Sequence, residues 1–229
     1  MASPRIAILA SGSGTTAESF IKSVAAKDVD GEVVLLICNN RKAAVFDRVK
    51  ELNDKLGLNI KLLHIGKTNH PSEKGEKVEY GRQTEAEEAA ILKAMDEMDI
   101  DLVLLLGYMK LIGKSIVDKY GWREEYQSIY QGRMLNTHPG LLPATKGLYG
   151  IHVQEKVLES GTEAGNCLFI VDSEYDDGPV ISQHKVVMMA SDTAEALFER
   201  VKASEKAHLA EDIDRFIKEQ REYREKSRG

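Results

Sequence analysis

The chain has 229 residues and a mass of 25.5 kDa, which suits one large domain or two small ones and excludes peptides and repeat arrays. Hydrophobic residues make up 42% of the sequence and charged residues 30%, so the chain carries enough apolar material for a core and is unlike a disordered protein. The formal net charge of -6 argues against generic nucleic-acid binding, which depends on a basic surface.

Apolar, β-branched runs alternate with amphipathic stretches in the first half of the chain. The runs are bounded by turn residues and predict buried strands at 5–9, 33–38, 62–65 and 102–106. Apolar residues at helical spacing predict helices at 15–26, 43–56 and 84–97. This βαβ order is typical of a Rossmann-like sheet of parallel strands with helices on both faces.

After Met134 the predicted strands follow one another more closely. Apolar runs predict strands at 134–135, 167–171 and 180–187, followed by a long amphipathic helix over 193–219. We therefore expect an α/β fold with a mostly parallel central sheet and a mixed C-terminal part. The stretches Lys67–Gln83 and Tyr120–Arg133 are interpreted as loops without readable chemistry, and the charged tail from Glu219 as a solvated helix end.

Two features bear on the cellular compartment. Cys38 and Cys167 both lie inside apolar runs, which favours buried free thiols in a reducing compartment over a disulfide. The apolar segment near the N-terminus is too short for a signal peptide, and no uninterrupted run reaches the roughly 20 apolar residues of a membrane span. We expect a cytoplasmic protein that binds neither membranes nor nucleic acid.

A turn rich in glycine and hydroxyl groups follows the first strand. It reads SGSGTT over residues 11–16 and precedes a predicted helix. Glycines let the backbone approach an anion, and a helix N-terminus offers N–H donors, so a phosphate site is physically reasonable. The turn lacks the third glycine of a dinucleotide motif and the lysine of a P-loop, and a tight turn capped by Thr15 or Thr16 is the structural alternative.

The segment LNTHPGLLP at 135–143 places an amide and an imidazole two residues apart at the end of a short strand. Residues i and i+2 of a strand project to the same side, so Asn136 and His138 address one small volume. Two such donors suit the oxyanion of an acyl-transfer intermediate, and the prolines that follow hold the geometry rigid. These neighbours favour a functional His138 over a surface histidine.

An acidic loop, DSEYDDGPVI at 172–181, connects two predicted strands. Its plain interpretation is a solvated hairpin connection. A carboxylate that meets His138 would raise the pKa of the imidazole by favouring its charged form, and would be able to relay a proton. The sequence leaves both interpretations open.

Together these motifs resemble those of a known family. ASGSGTT at 10–16, LGYMKLI at 106–112, LNTHPGLLP and DDGPVI at 176–181 occur in the order seen in glycinamide ribonucleotide (phosphoribosylglycinamide) formyltransferases. The resemblance runs from Arg5 to about His208, and the Asn-x-His-Pro element with a downstream Asp-x-Gly-Pro is specific to the folate-dependent formyltransferase superfamily. The phosphate turn, with no extra C-terminal domain, favours the purine-pathway family over its tRNA- and sugar-modifying relatives.

The resemblance implies a role for each matching residue. The catalytic Asn, His and Asp of the family match Asn136, His138 and Asp176. Its substrate-binding positions match a second set, which is Gly12, Ser13, Gly14, Thr15, Thr16, Pro139 and Glu205. The positions that hold the pterin of 10-formyltetrahydrofolate match a third set, which is Tyr108, Met109, Lys110, Leu111, Ile112, Asn136, Asp172, Ser173, Glu174, Tyr175 and Asp176.

Four positions depart from the family pattern. Thr16 stands where the family usually has Asn, and Phe169 where many members have a His. Lys110 replaces the usual Arg, which keeps the positive charge but loses a bidentate fork. Asp177 replaces the first Gly of Asp-Gly-Gly-Pro and adds a carboxylate. None of these changes removes a catalytic group.

The resemblance implies transfer of a formyl group from 10-formyltetrahydrofolate, as co-substrate, to the primary amine of glycinamide ribonucleotide by direct attack. It implies no metal, and a monomer or homodimer. It also implies a single formyltransferase domain over 1–229, with a nucleotide- and phosphate-binding half to about 115 and a folate-binding and catalytic half from about 116.

Other functions remain open at this point. Within the superfamily, the alternatives are a formyltetrahydrofolate hydrolase and an amino-sugar-nucleotide N-formyltransferase. From other classes come a non-catalytic folate- or nucleotide-binding regulator and an NAD-dependent oxidoreductase.

Overall fold

The structure is a computed structural model that describes residues 3–73 and 78–227. The chain divides into two compact units, Met1–Gly121 and Trp122–Gly229. Each unit has its own strands and helices, and each holds part of the sequence motifs.

In the described part of the first unit, the strands are parallel and lie in the order β3-β2-β1-β4. They are β1 (Arg5–Ala10), β2 (Glu32–Cys38), β3 (Lys61–His64) and β4 (Leu102–Leu105). The helices are α1 (Thr15–Ala25), α2 (Val45–Leu56), α3 (Glu85–Glu97) and α4 (Lys114–Tyr120). β1 and β4 are almost wholly buried because both of their faces carry apolar side chains, as central parallel strands require.

The two ligand-binding segments predicted in this unit lie at the same edge of its sheet. β1 leads into the turn at 11–16, and β4 leads into the segment at 106–112. The carboxyl ends of parallel strands share one edge, which is where ligands of such sheets bind. Two hydrogen bonds join the segments: Ser11 N donates to Gly107 O (3.1 Å), and Met109 N donates to the Ser11 hydroxyl (2.8 Å).

The second unit is built on antiparallel strands. Its described elements are β5 (Met134–His138), α5 (Ile151–Ser160), β6 (Ala164–Ile170), β7 (Val180–Val186) and α6 (Ala194–Lys226). β6 pairs with β5 on one side and with β7 on the other. The 33-residue helix α6 is anchored to α5 and β6 by a buried apolar cluster of Val153, Val157, Ala164, Leu197 and Val201.

The predicted α/β class is confirmed, with parallel strands first and a mixed C-terminal part. Every predicted strand and helix is present, with shifted ends, and the charged tail is helical to Lys226. The helices α4 and α5 and a short 3-10 helix at Ile129–Gln131 were not predicted, because α4 has only seven residues and α5 buries few apolar side chains. Residues 74–77 of the interpreted loop Lys67–Gln83 lie outside the described residues.

Candidate active site

The turn at 11–16 ends at the N-terminus of α1. Gly14 is the N-cap residue, with a left-handed backbone (φ 72°), so the structure does not show the predicted alternative of a Thr15 or Thr16 cap. Glycine has no side-chain oxygen to offer the first N–H groups of the helix. A helix N-terminus of this kind is able to bind an anion.

The two glycines of this turn suit their positions for different physical reasons. A Cβ atom on Gly14 would lie 2.3 Å from Cγ2 of Val45, so packing against α2 requires a glycine there. A Cβ atom on Gly12 would meet no heavy atom within 4 Å among the residues that the structure describes. Gly12 and Ser13 are also exposed. The space beside Gly12 is therefore open to a ligand.

Lys110 forms an ion pair within the first unit. Its ammonium group contacts both carboxylate oxygens of Glu87, at 2.5 and 2.7 Å, and the two side chains are 13% and 0% exposed. Glu87 also accepts from the backbone N of Thr84, in the capping box that begins α3. The lysine side chain thus fixes the segment 108–112 to α3.

Residues just before α3 form hydrogen bonds with the segment 108–112 and with Gly113 after it. Gln83 donates from Nε2 to the Tyr108 hydroxyl (2.9 Å), and its Oε1 accepts from Gly113 N (2.7 Å). Leu111 N donates to Gly81 O at 2.7 Å. Burial raises the pKa of the Tyr108 hydroxyl, which stays neutral. The described end of the interpreted loop Lys67–Gln83 therefore has a structural role that its sequence did not indicate.

In the second unit, His138 lies at the end of β5 and is 4% exposed. Its Nε2 atom is 2.9 Å from the Thr145 hydroxyl, and its Nδ1 atom is 3.7 Å from Oδ2 of Asp176. The structure thus brings His138 close to an acidic-loop carboxylate, which the sequence had left open, at a distance longer than a hydrogen bond.

The pKa of His138 is governed by burial. Burial lowers it below the ordinary value of 6.5, and the negative charge of Asp176 offsets this only in part. The expectation that a nearby carboxylate raises the pKa was right about the effect of Asp176 and wrong about the net direction. The reason is that the imidazole is almost completely removed from water.

Asp176 is held in place by its backbone and by one hydrogen bond. It has a left-handed backbone (φ 50°), which Asp tolerates better than most residues, and its Oδ2 accepts from Gly147 N at 3.2 Å. Two residues on, a Cβ atom on Gly178 would lie only 1.7 Å from the carbonyl oxygen of Ile170. The glycine of the Asp-x-Gly-Pro element is thus required by a close backbone approach that sets the path of the acidic loop.

Asn136 is half-buried and lies two residues before His138 on the same strand. It is paired in the sheet with Phe169, and His138 with Cys167. Phe169 is buried in an apolar cluster with Cys167 and Leu142, so it supplies no titratable group beside the site. Pro139 follows His138, and its carbonyl oxygen accepts from Nε2 of the buried Gln154.

The remaining residues of the acidic loop are mostly exposed. Ser173, Glu174 and Tyr175 face solvent, whereas Asp172 is half-buried and accepts from Glu174 N at 3.0 Å. Burial raises the pKa of Asp172. The additional carboxylate of Asp177 pairs with Lys146 at 2.6 Å. It is thereby neutralised by a neighbouring cation.

Glu205 lies on α6 and is 9% exposed. Burial is the main cause that raises the pKa of the Cys167 thiol to about 12, and the charges of Asp176 and Glu205 contribute to this rise. Glu205 is therefore close to the sheet partner of His138, and Cys167 is an unreactive thiol. Within residues 3–73 and 78–227, no group of three or more His, Cys, Asp and Glu side chains is placed to hold a metal ion.

A comparison with known protein families identifies the family of this chain. The profile described as formyl transferase matches residues 4–213, most of the chain. The chain belongs to the formyl transferase family. The expected enzyme class, a transferase of one-carbon groups, is thereby confirmed, and a folate-derived co-substrate follows from the family.

Individual formyl transferases are similar along most of this chain. The chloroplastic phosphoribosylglycinamide formyltransferase of Arabidopsis thaliana is 30% identical over 224 residues, which cover 96% of this chain and 68% of that protein. The crystal structure of phosphoribosylglycinamide formyltransferase from Bacillus halodurans superposes with a TM-score of 0.75 at 32% identity, covering 93% of this chain and 95% of that one. The trifunctional purine biosynthetic protein adenosine-3 of Gallus gallus is 31% identical over 202 residues, and the chain spans only 17% of its length.

The sequence did not single out three residues that contact residues of the predicted site motifs within their own unit: Glu87, Thr145 and Lys146. Glu87 gave only the signal of a capping box, three residues after Thr84. Thr145 follows His138 by seven residues, a spacing that carries no signature in an irregular loop.

None of the helices in the described part of the chain is long and apolar enough to cross a membrane.

Proposed function

We propose that this formyl transferase moves the formyl group of 10-formyltetrahydrofolate to the primary amine of glycinamide ribonucleotide, in de novo purine biosynthesis. The observation that carries the proposal is the meeting of a buried His138 with Asp176, on a strand that also carries Asn136. Two of the relatives reported above bear the name of this activity and cover most of the chain. They support the same substrate class here.

The phosphate of the ribonucleotide is assigned to the turn from Gly12 to Thr16. Open space beside Gly12 and the uncapped start of α1 provide backbone donors for an anion, although the chain as a whole is acidic. Glu205 is assigned to the ribose hydroxyls, since a buried carboxylate near the site is a strong hydrogen-bond acceptor. Pro139 completes the substrate set by fixing the chain after His138.

The folate co-substrate is assigned to two backbone segments, 108–112 in the first unit and 172–176 in the second. Both are fixed from behind by side chains: Lys110 is held by Glu87, and Asp172 caps the backbone N of Glu174. A rigid backbone with its polar groups at a strand end suits the donor and acceptor edge of a pterin. The segments present therefore fit the co-substrate.

The reaction begins when the amine nitrogen attacks the formyl carbon and a C–N bond forms. The carbonyl electrons move to oxygen, and the Asn136 amide donates a hydrogen bond to this oxyanion; removal of one such donor costs roughly 10²–10³ in kcat. A neutral His138 accepts the proton of the attacking nitrogen at Nδ1, and Asp176 stabilises the imidazolium. The oxyanion then re-forms the carbonyl as the bond between the formyl carbon and N10 breaks, and the proton passes from His138 to N10, which releases tetrahydrofolate.

This scheme starts with a neutral imidazole rather than the protonated one expected from the sequence. The change follows from burial, which lowers the pKa of His138. A neutral base is also what the attacking amine needs, because it must lose a proton during the reaction.

We further propose that the two units work as a single formyltransferase domain, that the protein is a cytoplasmic monomer or homodimer, and that it needs no metal. Both cysteines are buried free thiols, which suits a reducing compartment. Its partners are then small molecules.

The experiment is an assay of the purified chain with 10-formyltetrahydrofolate and a panel of amine acceptors. We expect N-formyl product with glycinamide ribonucleotide and none with amino-sugar nucleotides. Formate release without an acceptor would indicate a hydrolase instead. His138→Asn, which keeps a polar side chain but removes the base, serves as the inactive control.

A further inference from the structure

Thr145 lies in the loop after β5 and is 2% exposed, with its hydroxyl group between two partners. The hydroxyl oxygen is 3.0 Å from the carbonyl oxygen of Leu141 and 2.9 Å from Nε2 of His138. A carbonyl oxygen only accepts, and a hydroxyl group has a single hydrogen. The Thr145 hydroxyl therefore donates to Leu141 and accepts from an Nε2–H of His138.

We propose that Thr145 is a positioning residue that holds neutral His138 in the Nε2–H tautomer and so makes Nδ1 the atom that takes the proton. The catalytic role in this inference rests on the proposed function. Nδ1 faces Asp176, the group that would stabilise a proton arriving there. The opposite tautomer would place a hydrogen on Nδ1 before the reaction and leave no base at that atom.

Two further observations agree with this tautomer. The distance of 3.7 Å from Nδ1 to Asp176 exceeds that of a hydrogen bond, as expected when Nδ1 carries no hydrogen. Gly140 leaves the room that Thr145 occupies, since a Cβ atom there would lie 2.2 Å from the Thr145 hydroxyl oxygen and 2.8 Å from Cγ1 of Val153. The threonine is thus built into the loop that follows the catalytic strand.

The test compares Thr145→Val, which keeps the shape but removes the hydroxyl, with Thr145→Ser, which keeps the hydroxyl. Thr145→Val removes the hydroxyl acceptor of the Nε2–H group, so the Nδ1–H tautomer that bonds Asp176 gains population. We expect Thr145→Val to lower kcat roughly ten- to hundredfold with little change in either KM, and Thr145→Ser to retain most of the activity.

The deciding readout is ¹⁵N NMR of the histidine rings in the full chain, recorded without substrates above the pKa of His138. His208 is an internal reference of the opposite type, because its Nδ1 donates to the carbonyl oxygen of Ser204 at 2.8 Å. We expect wild type and Thr145→Ser to show the Nε2–H pattern for His138, and Thr145→Val to lose it. The His138→Asn variant assigns the signals.

An Nδ1–H pattern for His138 in the wild type overturns the proposal, whether or not Thr145→Val folds. An unchanged Nε2–H pattern or an unchanged kcat in a folded Thr145→Val protein overturns it as well. The spectra need no turnover, so failure of the proposed function would appear separately. In that case the wild type would show the expected tautomer and no formyl transfer.

Discussion

The close backbone approach at Gly178 makes a prediction about how the acidic loop is positioned. In Gly178→Ala, the new Cβ atom would lie 1.7 Å from the carbonyl oxygen of Ile170, against a practical minimum of 3.0 Å. The loop must therefore move by at least about 1.3 Å (3.0 minus 1.7 Å), since the obstacle is backbone and not a flexible side chain. Asp176 lies two residues away and would move with it.

A misplacement of about 1 Å at reacting groups can cost roughly 10²-fold in rate, so we expect kcat of Gly178→Ala to fall by about that factor. Overpacking of this kind also costs about 1–3 kcal/mol of stability. Gly161→Ala is the matched control: φ is 67° there, the added Cβ atom meets no heavy atom within 4 Å in the described part of the chain, and the left-handed backbone costs roughly 1–2 kcal/mol. The two variants should lose similar melting temperature, but only Gly178→Ala should lose kcat. A folded Gly178→Ala protein with kcat within about twofold of wild type would refute this account of the loop.

Three further predictions concern separate parts of the site. Glu87→Gln leaves the ammonium of Lys110 buried without a counter-charge, so denaturant titration should show a loss of about 3–5 kcal/mol and the KM for the folate co-substrate should rise. Asp176→Asn removes the charge that raises the pKa of His138 while burial still lowers it, so an NMR titration should place that pKa below the wild-type value. Gly12→Ala adds a methyl group beside the proposed phosphate site, so the KM for the ribonucleotide should rise about tenfold or more while the melting temperature stays constant.

Each of these outcomes has a clear opposite. An unchanged folate KM, a raised pKa of His138, or an unchanged ribonucleotide KM would contradict the corresponding assignment.

The direction of the pKa shift of His138 also determines how the stability of the protein depends on pH. Because the folded-state pKa of His138 lies below its ordinary value of 6.5, its contribution to stability is present above that pH and is lost as the pH falls through the folded-state pKa.

Local periodicity was sufficient for most of the fold. The strands of the first unit are apolar on both faces, and their helices repeat apolar residues at helical spacing, so each could be predicted from its own residues. The end of β5 could not, since Asn136 and His138 replace apolar residues where the strand reaches the site. The helix α5 escaped because its buried face consists mainly of Val153, Gln154 and Val157.

The candidate site was predictable where its geometry is local. Strand alternation alone indicates that Asn136 and His138 point the same way. The contact of His138 with Asp176 joins residues 38 positions apart and needed the fold. The direction of the pKa shift depends on burial, which is a tertiary property. The partner of Lys110 was likewise not predicted, because the sequence indicated only that Glu87 lies in a helix.

The most direct test of formyl transfer is a stoichiometric assay with 10-formyltetrahydrofolate, with and without glycinamide ribonucleotide. Tetrahydrofolate, formylated ribonucleotide and formate would be measured in the same reaction. We expect one formylated ribonucleotide for each tetrahydrofolate, no formate, and no turnover without the amine. Formate release without the amine, or no turnover in a folded sample that binds folate, would contradict it.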